Sequence, residues 1–357
     1  MKKIVLIICL LPFISYSQSD WYEIEIPTNR SLSSVYFVNS TLGFIGGDSI
    51  LLNTVDGGMT WNTMNLEGTL SSGINLNRLS DMHWFSVDHG IITQSPYGGF
   101  FETTNGGETW NAFSLANSGF CQAYSLFFFD ENNGFAGGAG CFQGELIDRF
   151  DGEWSTTVIP DSWDPAQHIN EIDFMDSEVG FAASSGGLFK TSDGGLNWGL
   201  VPELPDYQFT DIVLDSSTDL YMPHNGQWGI LESTDGGETW EACMPCATFF
   251  STSLYSGHKA ESGVLYFGGG EGFELDQGIL FEKDGFTCYY EQFDHAINSI
   301  GSHDNAVFIV GDSGMVYTNN PDIANKVENI DPVNSSLIYP NPCSEKVTIE
   351  KSTNEKV

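Results

Sequence analysis

Positive charge is what this sequence has least of. Twelve Lys and Arg residues stand against 48 Asp and Glu, a formal net charge of −36 over 357 residues. A surface this acidic repels phosphate backbones and anionic headgroups, which argues against any nucleic-acid role. Long apolar runs are absent beyond the first 14 residues, so no membrane span is expected. Extended helical periodicity is absent too, because apolar residues past the N-terminus never recur at i, i+3, i+4 and i+7 over more than about 12 residues. The seven His show neither HExxH nor HxH spacing, so no metal site of the zinc type is expected.

What is present is glycine, at 40 residues, and aromatic side chains, at 13%. With no helical stripes, that composition reads as all-β structure with many tight turns. The N-terminus carries Met1-Lys2-Lys3, an apolar run from Ile4 to Ile14, and the small residues of Ser15-Tyr16-Ser17. That is the grammar of a signal peptide over 1–17, too short to span a bilayer. Its removal takes away Lys2 and Lys3 and moves the charge from −36 to −38. Of seven cysteines, six remain: Cys121, Cys141, Cys243, Cys246, Cys288 and Cys343. In an exported chain these are disulfide candidates, with fifteen full pairings open.

An internal repeat decides the fold. Four segments fit T/S-x-D/N-G-G-x-T/N-W: Thr54 to Trp61, Thr103 to Trp110, Thr191 to Trp198 and Ser233 to Trp240. Their turn residues are Asp56, Asn105, Asp193 and Asp235. Eroded copies occur at Asp151-Gly152-Glu153-Trp154 and at Asp284 to Cys288, and a seventh slot lies at Thr318-Asn319-Asn320. An apolar strand precedes each, then, in most repeats, a polar turn ending in Gly, a second strand, a Gly-rich turn and a third strand. Four short antiparallel strands per repeat of about 45 residues make one propeller blade. The reading is an all-β, seven-bladed β-propeller over 18–325. The last repeat lacks its Trp strand, and Asp20-Trp21-Tyr22-Glu23 offers one, so the N-terminal strand is expected to close the ring. Asp or Asn bonds its own backbone two residues on, Gly tolerates positive φ, and the Trp buries apolar area. These box residues are therefore read as structural.

The T-x-D-G-G-x-T-W segments resemble the Asp-box (BNR) repeat. With Gly43-Phe44-Ile45-Gly46-Gly47 they resemble the propellers related to the photosystem II stability and assembly factor, from Leu32 to about Asn320. That resemblance implies the fold but spreads over sialidases, xyloglucanases, sortilin-type receptors and assembly factors. The three substrate-binding arginines of sialidases do not transfer, because the only arginines are Arg30, Arg78 and Arg149. At the C-terminus, Tyr339-Pro340-Asn341-Pro342 and Val347-Thr348-Ile349 resemble the start of the type A sorting domain of the type IX secretion system. It occupies 337–357 after a linker over 326–336. The resemblance implies a secreted or cell-surface protein and the type IX secretion machinery as a partner.

Propeller topology places the Asp boxes on one face and the variable loops on the other. That second face holds the candidate binding residues Trp163, Asp164, His224, Trp228, Glu271, Phe273, Glu274 and Asp276. A Cys121–Cys141 staple and a local Cys243–Cys246 disulfide are expected, with Cys288 left as a thiol. Gly311-Asp312-Ser313-Gly314 copies a serine-protease phrase but sits where a second-to-third turn belongs. Asp130 to Gly134 reads as a hairpin turn rather than a calcium loop. The expected function is non-catalytic binding of an extracellular protein or glycan with no cofactor, calcium at loop carboxylates being the one candidate ion. The alternative is a glycoside hydrolase using Asp164, Glu271, Glu274 and Asp276 with Trp163 and Trp228.

Overall fold

The computed structural model describes residues 15–16, 20–64, 77–95, 99–114, 120–140, 145–158, 167–202, 204, 208–226, 229–243, 252–271, 277–285 and 287–328. The regular structure in it is almost entirely antiparallel strand. The first four-stranded unit is Leu32–Phe37, Gly43–Gly47, Ile50–Thr54 and Asn62–Thr63, paired in that order. Separate sheets of the same order occupy 78–114, 120–158 and 169–200. A ten-stranded sheet takes nine strands from 208–293 and a tenth, Ser15–Tyr16, that runs parallel to Tyr289 and Tyr290; it contains two further runs, joined where Asn225 and Gly226 pair with Ser253 and Thr252. The last unit is Ile297–His303, Ala306–Gly311 and Val316–Thr318. Its fourth strand is Tyr22–Glu23, which pairs with Tyr317 and Thr318. The N-terminal strand thus closes the sheet, as the missing Trp strand required. The first strand of each unit touches that of the next, and the last touches the first, so the units form a closed ring.

The Asp-box turns tie the outer strands together. In the first unit the Asp56 carboxylate accepts the Thr60 N–H at 2.9 Å and the Thr60 hydroxyl at 2.6 Å. The Thr54 hydroxyl donates to Asp56 at 2.7 Å and accepts the Gly58 N–H at 2.9 Å. The Trp61 indole donates to the Gly58 carbonyl at 3.1 Å. The hydroxyl and N–H bonds to the box residue recur around Asp193 and Asp235, with Asn105 as the amide variant, and the indole bond recurs at Trp110 and Trp240 but not at Trp198. Gly58 adopts φ +89°, and a Cβ there would lie 2.5 Å from the Phe308 ring. The second glycine of the box is thus demanded both by the backbone and by contact with the preceding unit. Trp61 is 5% exposed and packs with Phe308 of the last unit. Trp110 and Trp198 likewise sit in apolar layers shared with the unit before. Buried area of this size between sheets is what holds neighbouring units together.

Several departures have local causes. At Thr318-Asn319-Asn320 the chain turns into a helix, Pro321–Glu328. The Asn320 carboxamide accepts the Asp322 N–H at 2.9 Å and Pro321 takes the first helical position, a capping arrangement that extends order past the expected 326 boundary. Trp154 and Trp240 are only partly buried. Cys288 is disulfide-bonded rather than a thiol, and Cys121 is disulfide-bonded as well. Cys243 is a buried thiol, so the expected Cys243–Cys246 bond is not formed. It sits in an apolar cluster with Val213, Ile230 and Phe281. Cys141, Cys246 and Cys343, the 337–357 segment and most of 1–17 lie outside the described residues. Asp312–Gly314 is a short turn between the second and third strands, and Asp130 pairs with Asn133 across a two-residue hairpin. Both turn readings hold.

Candidate functional site

The first strands carry a second repeat, inside the ring. Each opens with two polar residues between apolar ones: Leu32-Ser33-Ser34-Val35, Leu79-Ser80-Asp81-Met82, Ala123-Tyr124-Ser125-Leu126, Ile169-Asn170-Glu171-Ile172, Phe209-Thr210-Asp211-Ile212, Leu254-Tyr255-Ser256-Gly257 and Ile297-Asn298-Ser299-Ile300. In a regular strand two consecutive side chains point to opposite faces. Here the register shifts within the motif, between Leu32 and Ser34, Leu254 and Ser256, Ile297 and Ser299, and at the matching places elsewhere. A bulge of this kind re-aims side chains, and both polar positions face the axis.

These positions lace the ring. The first donates to the neighbouring unit's carbonyl: Asn170 Nδ2 to Phe209 at 2.7 Å, Thr210 Oγ1 to Leu254 at 2.8 Å, Asn298 Nδ2 to Leu32 at 2.8 Å. The second accepts the neighbouring unit's N–H: Asp81 from Leu126 at 2.7 Å, Ser125 from Ile172 at 3.0 Å, Asp211 from Gly257 at 2.7 Å, Ser299 from Val35 at 3.3 Å. The pair across Asn298–Leu32 and Ser299–Val35 joins the last unit to the first.

Inside the lacing lies a polar cavity of about 620 Å³. Ser95 and Asp312, at second-to-third turns, line it, so its mouth opens on the face of variable loops. A smaller part of about 300 Å³ continues along the axis and shares Ser34, Asp81, Glu171, Asp211, Ser256 and Ser299 with the mouth. Asp173 is reached only from the deeper part. Burial pushes the Asp81 carboxyl up to about 6, and those of Asp173 and Asp211 up to about 7. Glu171 is raised well above the usual range, first by burial and then by the charges of Asp211, Asp81 and Asp173. Each carboxyl keeps partial contact with the channel, but protein encloses it on the remaining sides, so the direction follows from lost hydration. His258 borders the deeper part, bonds Ser302 at 2.8 Å, and is lowered to about 4 by burial.

Of the residues singled out from the sequence, His224 is fully buried against Phe209, with its pKa lowered to about 4 by burial. It belongs to the core of the 208–242 unit and not to a binding face. Glu271 ends the strand Leu265–Glu271 and pairs with Thr252. Trp163, Asp164, Trp228, Phe273, Glu274 and Asp276 lie outside the described residues. The residues that line the axis, Asp81, Glu171, Asp173 and Asp211, were not singled out. Their signal was the polar pair recurring at the head of each apolar strand.

The photosynthesis system II assembly factor YCF48 family matches residues 14–119, and the BNR/Asp-box repeat matches residues 231–242. No curated protein matches the sequence. Among solved structures, YCF48 bound to a D1 peptide is similar at 18% identity, covering 85% of this chain and 98% of its own, with a TM-score of 0.63. YCF48 from Cyanidioschyzon merolae is similar at 14% identity, over 85% of this chain and 99% of its own, with a TM-score of 0.60. A GH74 xyloglucanase from Xanthomonas campestris is similar at 12% identity and a TM-score of 0.62, over 85% of this chain and 54% of that one. At such identities the likeness is one of fold. The chain is a β-propeller that carries a BNR/Asp-box repeat and is similar in architecture to YCF48.

Proposed function

We propose that this protein is a seven-bladed, non-catalytic binding propeller, exported through the type IX secretion machinery and acting at the cell surface or outside the cell. Its partner is an extracellular protein or a glycan, engaged on the loop face around the channel mouth. The observation that carries the reading is the cavity of about 620 Å³ opening on that face, lined by hydroxyls, carboxamides and carboxylates. Concave polar sites on a rigid scaffold are where ligands are usually held. The YCF48 structure with a bound D1 peptide favours a protein partner over a glycan. The test is a screen of the purified chain against arrays of extracellular proteins and glycans, with and without calcium, beside a hydrolysis assay on the same glycans. Saturable binding without turnover is expected. Turnover of xyloglucan or another glycan would replace this reading with a hydrolase, and silence in every arm would overturn it.

A further inference from the structure

The lacing bonds do not use every polar group on the axis. Ser34 and Ser256 occupy the position that accepts the neighbouring N–H elsewhere. They are 5% and 7% exposed, and they border both the mouth and the deeper channel. Neither makes a side-chain hydrogen bond among the described residues. For Ser34 the donor is already taken, since the Met82 N–H goes to Asp81 at 2.7 Å. The Ser80 hydroxyl at the mouth is buried and has no partner either. Among the described residues only the Ser80 hydroxyl of these three is sealed from solvent without a partner, while those of Ser34 and Ser256 border the channel space, so all three can bond a group supplied from outside.

Below and beside these hydroxyls stand Asp81, Glu171, Asp173 and Asp211. The cations near them are otherwise placed. Lys259 is held by Asp215 at 2.7 Å, and Arg78 lies exposed at the mouth. His258 is neutral above about pH 4, and Asp312 adds a further carboxylate to the mouth, bonded to Asn298. Among the described residues, no three His, Cys, Asp or Glu side chains come close enough to share one metal ion. The negative charge is spread along the axis instead of gathered at a point. Such spacing suits an elongated cation that carries several N–H donors.

We propose that the axial channel binds a linear alkylammonium ligand, whose ammonium groups donate to Glu171, Asp211 and the Ser34 and Ser256 hydroxyls. Free polyamine and a lysine side chain of a bound partner present the same chemistry. The inference rests on the binding-propeller reading in one respect, that the channel is open to ligand. The raised carboxyls add a consequence: ammonium binding must displace protons from them, so affinity rises as they ionise.

The experiment is calorimetric titration of the full chain with spermidine in physiological salt, at about pH 7.5 and about pH 5.5. Binding of one ligand per chain is expected, weaker at the lower pH, with affinity reduced by about tenfold or more in Glu171→Gln and in Asp173→Asn. Both substitutions remove repulsion, so thermal unfolding at the higher pH should show both variants folded and no less stable than the parent. Glu178→Gln with Glu261→Gln, at exposed turns, should leave the affinity unchanged. A second arm uses a Gly/Ser peptide with one lysine, beside its acetyl-lysine counterpart. Binding of the lysine peptide alone, lost in Glu171→Gln, would assign the ammonium to a partner side chain. Loose association that salt erases and channel substitutions do not touch would overturn the proposal, as would silence in both arms. Array binding that survives Glu171→Gln, without any ammonium binding, would overturn the channel ligand and leave the binding propeller standing.

Discussion

Carboxylates do opposite things at the rim and on the axis of this ring. In the Asp-box turns, Asp235 is held down to about 2 by the Thr239 hydroxyl and N–H and by Ser233, and Asp193 is lowered by Asn197 in the same way. On the axis, Asp173 and Asp211 are pushed up to about 7, because burial removes water faster than one or two N–H bonds replace it. The rim carboxylate is surrounded by donors and by solvent. The axial carboxylate is walled off from solvent, and at Glu171 and Asp211 neighbouring carboxylate charges push it up further. Residue type therefore says little about protonation here; burial weighed against the donors aimed at the charge decides it.

The two populations act on stability in opposite directions with pH. Rim values lie below the ordinary 3.8, so their contribution is present above about pH 4 and is lost as pH falls toward 2. Axial values lie above the ordinary range, so their contribution is complete below about pH 4 and is lost as pH rises through 6 to 7. The melting temperature should therefore peak near pH 4–5 and fall toward pH 8, a profile that differential scanning calorimetry across that range can check.

The largest effect should come from the layer between rim and axis. Trp61→Ala removes a buried indole shared between the first and last units and should cost about 3–5 kcal/mol in urea unfolding, at every pH. A pH-dependent cost would show that rim electrostatics, not packing, carries the contribution. Ser125→Ala leaves the Ile172 N–H and one Glu171 oxygen without their partner. It should destabilise by about 1–3 kcal/mol by the same measurement. Asp173→Asn should do the reverse, stabilising by about 1–3 kcal/mol near pH 8 and by nothing near pH 4. A stabilisation equal at both pH values would break the contrast between rim and axis. The smallest change is expected for Asp235→Asn, which keeps the acceptor but loses its charge. It should lower the melting temperature slightly at neutral pH and flatten the acid limb below pH 4, read by circular dichroism.

Much of the architecture was legible in the chain. The four full boxes, each with its Trp, placed the outer hairpins, and the missing Trp strand after Asn320 foretold pairing between Tyr22–Glu23 and Tyr317–Thr318. The cysteine and histidine readings fared worse. Cys288 lies in a disulfide and Cys243 is a buried thiol packed with Val213, Ile230 and Phe281, an outcome that spacing along the chain does not reveal. His224 falls on a strand that turns it into the core. The axial carboxylates were visible as residues but not as a set, since Asp81 and Asp211 are 130 positions apart and each looked like an ordinary polar strand residue.

What the sequence determined by itself is everything that depends on local order: the strand-turn grammar, the donors around each box aspartate, the glycines where φ is positive, and the place where the ring closes. These are contacts within a few residues, or between ends that only one topology can join. What the tertiary structure decided is the meaning of the polar pair at the head of each inner strand. Only when the units close around an axis do the Ser, Asp, Glu and Asn side chains of different repeats face one another, lose water together, and turn a repeated strand motif into a laced, acidic channel.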